Sequence, residues 1–310
     1  MDTCPRCEYE RPDDAVECPR CGVVFEKLEQ DDDLPPQSIG VISSRLAEAD
    51  AGEPFGRKEL KILATGLVAA LFVLAVSPLR FVMSALVTLF HELGHAVASW
   101  LLGHPAVPAF DFVYGGGFTH VDNFKLPLVF FIGGAWLYLG WLLRRNTRTL
   151  VVMGIVFGVW LFFVSAPWRR ELVIAAMGHG GEFILAGIFL YMALANVGWR
   201  SPEIERPLGA FVAFFVQIHS MRFAWKLGHD TAFLDWYLQG KGGALMNDLE
   251  TISLDLRIHT PMGTGVEGVA GWLLLLSPLP FAVALLLYVF RARVERVAAL
   301  LLATEPGAAS

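Results

Sequence analysis

Residues 88–100 read TLFHELGHAVASW, and His91, Glu92 and His95 within them form a His-Glu-x-x-His pattern. On a helix, positions i and i+4 share a face, so two such imidazoles can hold one zinc ion. Glu92 follows the first histidine, where its carboxylate reaches a zinc-bound water. Zinc lowers the pKa of that water, and the glutamate takes its proton and later delivers it to a leaving amine. The pattern is fairly specific, arising by chance in about one in a hundred chains of this make-up. A core histidine satisfied by a neighbouring carbonyl explains one buried His, but explains three polar groups in one apolar stretch poorly.

A catalytic zinc takes about three protein ligands and keeps one position open. The first place to look for the third is AAMGHGGEFILAG, residues 175–187. His179 and Glu182 stand at i and i+3 and share a helix face. Gly178, Gly180 and Gly181 remove side chains around them, which lets helices approach closely. Either residue could be the third ligand, with the other as a fourth ligand or a supporting partner. The competing reading is a self-satisfied His-Glu pair at a helix contact. Asp230 and Asp248, in the long non-spanning stretch 228–264, are held in reserve. Gln217 or His219 could donate to a developing oxyanion, though a packing role suits them better.

The elements that must position these groups are membrane helices. The 310 residues are 55% hydrophobic and only 17% charged, against about 25% charged in ordinary soluble domains. A membrane span needs about 20 apolar residues. Candidate spans cover 60–77, 81–102, 126–143, 149–166, 172–195, 208–227 and 266–290. Segment 126–143, with Pro127 and Gly133-Gly134, is the weakest. The expected fold is therefore an all-α polytopic membrane protein of six or seven transmembrane helices. Ionisable groups in the middle of such spans are costly unless they are paired or face a cavity, so they mark functional sites by default. Trp100, Trp168 and Trp199 lie near span ends, where an interfacial belt accounts for them.

All four cysteines fall within the first 21 residues, as Cys4-Pro-Arg-Cys7 and Cys18-Pro-Arg-Cys21. Two such knuckles can place four thiolates round one structural zinc. This predicts a small zinc-ribbon head over residues 1–27, with two disulfides as the competing reading. Thiolate zinc sites suit a reducing compartment, and Arg57, Lys58 and Lys61 precede the first span, so the ribbon is expected in the cytosol. The first apolar run begins only near Ile62 and no secretory signal is expected before it. Residues 1–30 hold eight acidic and four basic side chains, which argues against a nucleic-acid partner. A protein partner at the ribbon and a purely structural role stay equally open. Residues 28–59 read as an acidic flexible linker, 60–296 as the transmembrane domain and 297–310 as a C-terminal tail.

The stretch Phe90-His91-Glu92-Leu93-Gly94-His95-Ala96, set in a transmembrane helix, resembles the site-2 proteases, which are intramembrane zinc metalloproteases. Residues 107–122, VPAFDFVYGGGFTHVD, extend the resemblance, because that family often has a Gly-rich, strand-like segment soon after its histidine helix. The resemblance covers residues 60–125 and implies a short β-hairpin here. Gly115, Gly116 and Gly117 would then offer a strand edge to an unwound substrate segment. The family usually takes its third zinc ligand from an Asp-Gly motif, and this chain contains no Asp-Gly pair. Precedent among His-Glu-x-x-His enzymes favours Glu182 as the replacement, and ligand chemistry favours His179.

The expectation is thus a zinc metalloendopeptidase with Glu92 as general base, one catalytic and one structural zinc, and a membrane-protein or peptide substrate. It would lie in the lipid bilayer of a bacterial inner or plasma membrane. A metal transporter and a non-catalytic pseudoprotease that binds membrane proteins are the alternatives. Concentration of the intramembrane His and carboxylates in two helices favours a site over a path.

Overall fold

The computed structural model describes residues 55–111, 116–144, 146–239 and 246–302. The four cysteines of the expected ribbon, most of the acidic linker and Gly115 lie outside these residues. The described chain is helical apart from one hairpin. Its elements are α1 (Arg57–Ala75), α2 (Ser77–Leu101), β1 (Ala106–Asp111), β2 (Gly116–Val121), α3 (Leu126–Leu142), α4 (Thr147–Val164) and α5 (Pro167–Ala195). There follow α6 (Pro202–His229), α7 (Thr231–Gln239), α8 (Asp248–His259), α9 (Val266–Leu276), α10 (Leu279–Val289) and α11 (Arg291–Leu302).

Among the described residues, five helical stretches are long and apolar enough to cross a membrane: α2, α4, α5, α6, and α9 with α10 taken together. This is fewer than the six or seven expected from hydropathy. Helix α1 opens with Arg57, Lys58, Glu59 and Lys61 in its first five residues. Helix α3 has only 17 residues, about 26 Å at 1.5 Å per residue, against a hydrocarbon core of about 30 Å. Apolar side chains cover the outside of the bundle: Phe130 is 70% exposed and Phe131 75% exposed. A water-soluble fold would bury such residues, and lipid is the solvent that suits them.

Local sequence sets the helix ends. Pro78, Pro167 and Pro202 occupy first-turn positions of α2, α5 and α6, where the missing N–H costs nothing. Helix α5 ends on Asn196 in the left-handed region at φ 56°. Arg206, 2% exposed, donates to the carbonyls of Ala193 and Leu194 at 2.7 and 2.9 Å and lies 3.4 Å from Glu59. One guanidinium thereby satisfies the last carbonyls of α5 and joins α1, α5 and α6.

Helices α2, α5 and α6 form the centre. Phe90, Ala186, Phe215 and Val216 share one buried cluster that also takes in Ala70 and Leu74 of α1. The crossing of α2 and α5 is so tight that no side chain fits at its middle. A Cβ on Gly94 would overlap the Met177 carbonyl, and one on Gly181 would lie 2.6 Å from the Gly94 Cα.

The hairpin anticipated after the histidine helix is present. Strands β1 and β2 pair antiparallel, with Ala106 opposite Val121 and Ala109 opposite Phe118. Its base is fastened to the end of α2, where the Trp100 indole donates to the Ala106 carbonyl at 2.7 Å, and is closed by Asp122 N–H, which donates to the Pro105 carbonyl at 2.8 Å.

Substituting Gly94→Ala should therefore destabilise the bundle by about 1–3 kcal/mol, the usual cost of overpacking. Gly154→Ala in α4, where a Cβ meets nothing within 4 Å, should be neutral or gain about 0.5–1 kcal/mol from lower backbone entropy in the unfolded chain. Thermal unfolding of both variants in the same detergent checks the contrast.

Candidate metal centre

The i, i+4 spacing on α2 brings the His91 and His95 rings edge to face, with centroids 4.6 Å apart. Their Nε2 atoms are 3.0 Å from each other. Asp248 Oδ2 completes a triangle, 2.8 Å from His91 Nε2 and 3.2 Å from His95 Nε2.

What surrounds the triangle defines its chemistry. His95 Nδ1 donates to the Ile174 carbonyl at 2.7 Å. His91 Nδ1 donates to Glu182 Oε1 at 2.6 Å. With the ring proton of each neutral imidazole committed on the Nδ1 side, both Nε2 lone pairs point inward. In this tautomeric arrangement three acceptors converge on one point with no donor among them, an arrangement that calls for a cation. Tetrahedral zinc ligands at about 2.0–2.2 Å from the metal sit about 3.3–3.5 Å from each other. The observed edges of 2.8, 3.0 and 3.2 Å fall a few tenths short, and a small outward shift meets that spacing. Two imidazoles, one carboxylate and an open fourth position suit zinc.

His179 also approaches this group. Its ring lies 4.7 Å from that of His91, and His91, His179 and Asp248 can be grouped with their ligand atoms within 4.8 Å of one another. The set containing His95 is tighter, with every edge at or below 3.2 Å, and is the better ligand set on geometry. Glu182 sits behind the triangle rather than in it. Its carboxylate, 2% exposed, faces the Nδ1 side of His91 and accepts from the Ser220 hydroxyl of α6. His179 Nδ1 is 3.0 Å from the same carboxylate but lacks hydrogen-bonding geometry. The structure thus brings His91, His95, His179 and Glu182 together, as their sequence pattern anticipated, and places the reserve residue Asp248 closest to the two histidines of α2.

Asp248 arrives on the first turn of α8, and its position is set by its neighbours. Asn247 caps that helix in a capping box with Glu250 and donates to the Tyr237 carbonyl of α7 at 2.7 Å. Leu249 is 1% exposed and packs in a cluster with Ala175, Leu227 and Ala270. Burying such a side chain is worth about 1.5–3 kcal/mol, which pins the aspartate's backbone beside α2. Burial and the nearby Asp248 charge push the Tyr237 phenol up, keeping it neutral.

Glu92, 5% exposed, lies on the neighbouring side of α2, where β2 covers it. The Thr119 hydroxyl donates to Glu92 Oε2 at 2.6 Å. A Cβ on Gly117 would lie 2.7 Å from Glu92 Cγ, whereas one on Gly116 would meet nothing within 4 Å. A cavity of about 760 Å³ opens here, lined by His91, Glu92, His95, Thr119 and Asp248 among others. Gln217 and His219 are placed elsewhere. Gln217 donates to the Ser277 carbonyl at 2.9 Å, and His219 lines a separate cavity with Arg80 and Arg222. Ser220 and Thr119 carried no sequence signal of their own beyond nearness to polar neighbours.

The chain matches no family model, no curated protein and no solved structure.

Gly178 faces the triangle directly: a Cβ there would lie 2.5 Å from His95 Nε2 and 2.7 Å from His91 Nε2. Gly178→Ala should therefore lower the zinc content by one equivalent per chain. Gly180→Ala, whose Cβ would meet only the end of the Met177 side chain at 3.2 Å, should leave it unchanged. Elemental analysis of the purified proteins reads both outcomes.

Proposed function

We propose that this chain is a zinc-dependent intramembrane metallopeptidase of the site-2-protease kind. The observation that carries the reading is the triangle of His91 Nε2, His95 Nε2 and Asp248 Oδ2 beside the buried carboxylate of Glu92, on one cavity. Asp248 would stand where the family's Asp-Gly motif supplies its aspartate. Glu182 would orient His91 from behind, as outer-sphere carboxylates do for zinc-bound imidazoles.

Zinc bound at this point supplies a Lewis acid and brings the pKa of a coordinated water to about 7. Glu92, on the same cavity, would serve as the base that accepts a proton from water and returns it to the leaving amine. The two histidines hold their Nε2 lone pairs inward through Glu182 and the Ile174 carbonyl, and Asp248 faces them from the first turn of α8. The hairpin contributes backbone groups: among the described residues each strand pairs only with the other, so outer edges stay open to an extended peptide. The cavity admits the water that hydrolysis at this position requires. Among the described residues only His91, His179 and Asp248 form a group of three or more His, Cys or acidic side chains able to share a metal, with His95 beside them, which supports a reaction site over a transport path.

Two substitutions test the reading on protein reconstituted with a transmembrane peptide substrate. Glu92→Gln should keep the metal and lose about 10²–10⁴-fold in turnover. Asp248→Ala should lose one equivalent of zinc and the activity with it. Undiminished cleavage by Glu92→Gln, or zinc flux across sealed vesicles by the wild-type protein, would count against a peptidase.

A further inference from the structure

Strand β2 does more than border the cavity. Gly117 and Thr119, two residues apart, face α2 together. At Gly117 the strand backbone is pressed onto the base, since a Cβ would lie 2.7 Å from both Glu92 Cγ and Thr88 Cγ2 and 2.9 Å from Glu92 Oε1. At Thr119 the side chain reaches the same residue, with Oγ1 2.6 Å from Glu92 Oε2 and 3.1 Å from the Glu92 carbonyl. A hydroxyl has one proton to give, and the shorter contact has the length of a charge-assisted bond to a carboxylate. Among the described residues no other side chain is seen to hydrogen-bond that carboxylate. The hairpin that delivers Thr119 is itself held to the end of α2 through Trp100.

We infer that Thr119 is a positioning residue: its hydroxyl, carried on β2, fixes the Glu92 carboxylate, so the hairpin sets the direction in which the base points. The inference rests on the metallopeptidase reading for its kinetic consequence, but the contact itself does not. Thr119 gives the carboxylate one defined rotamer in a buried place. The element whose open edges suit an extended peptide is then the same element that aims the base. A peptide seated along the hairpin and the proton acceptor share one rigid frame, which is what proximity catalysis demands.

The test compares Thr119→Val, which removes the hydroxyl and keeps the shape, with Thr119→Ser, which keeps the hydroxyl. Gly117→Ala, which displaces the strand from Glu92 while keeping the Thr119 hydroxyl in the chain, is the third variant. In cleavage assays Thr119→Val and Gly117→Ala should lower kcat about 10–100-fold, the scale of a misplacement of about 1 Å. KM and zinc content should change little, and Thr119→Ser should return kcat close to wild type. An unchanged kcat in Thr119→Val, a serine variant as slow as the valine variant, or a loss expressed in KM or in metal content would each overturn the assignment. Thermal unfolding separates this assignment from the peptidase reading. Thr119→Val should lower the melting temperature of the wild-type chain more than that of Glu92→Ala, which keeps only the backbone carbonyl as an acceptor, as expected for two groups that are directly coupled. Equal losses in both backgrounds overturn the contact, even if the protein cleaves nothing. An absent wild-type cleavage with intact coupling refutes the peptidase reading alone.

Discussion

Helices α2 and α5 meet backbone to backbone, and the centre of the protein depends on that contact. Gly94 and Gly181 leave no Cβ to hold the helices apart. The same closeness puts Gly178 against both histidine Nε2 atoms, so the space where the lone pairs converge exists only because α5 has no side chain there. It also sets Glu182 behind His91 and the Ile174 carbonyl behind His95. One packing decision thus makes the room for a cation and fixes the ring orientations that point at it. In lipid, where helix association cannot draw on the hydrophobic effect, close approach through small residues is what holds such a crossing together.

Burial of so many polar groups would be ruinous without partners. Here several have specific ones. Glu182 engages His91 and Ser220, Arg206 engages the end of α5 and Glu59, and Glu92 engages Thr119. In the triangle of two Nε2 atoms and Asp248 Oδ2 the acceptors face one another. A bound cation would remove that repulsion.

Much of this was legible in the sequence, for local reasons. The histidine pair depends only on i, i+4 helical geometry, and the hairpin on a Gly-rich, partly alternating run close behind it. The meeting of GHGGE with the histidine helix could be argued from small residues and intramembrane polarity. Which groups bind and which support could not, because that depends on the ring nitrogen each one faces. His91 shows Glu182 its Nδ1 and shows Asp248 its Nε2, and residue spacing does not encode the difference. Asp248 was the hardest to see. It lies 157 residues from His91, in a segment that reads as solvated surface, and its place is set by the burial of Leu249 and the capping of Asn247. Counting apolar runs gave six or seven spans, where five helical stretches among the described residues are long and apolar enough; the charged first turn of α1 and the 17-residue α3 account for the difference.

The most direct test of the account is the coordination sphere of the metal itself. X-ray absorption at the zinc edge, on the full chain carrying Cys4→Ser, Cys7→Ser, Cys18→Ser and Cys21→Ser, isolates the helical site from any thiolate-bound zinc. The account predicts one zinc per chain with nitrogen and oxygen neighbours at about 2.0–2.2 Å, two of them imidazoles, and loss of that signal in the same chain with Asp248→Ala. A sphere of three imidazoles, or a full complement of zinc after Asp248→Ala, would contradict it.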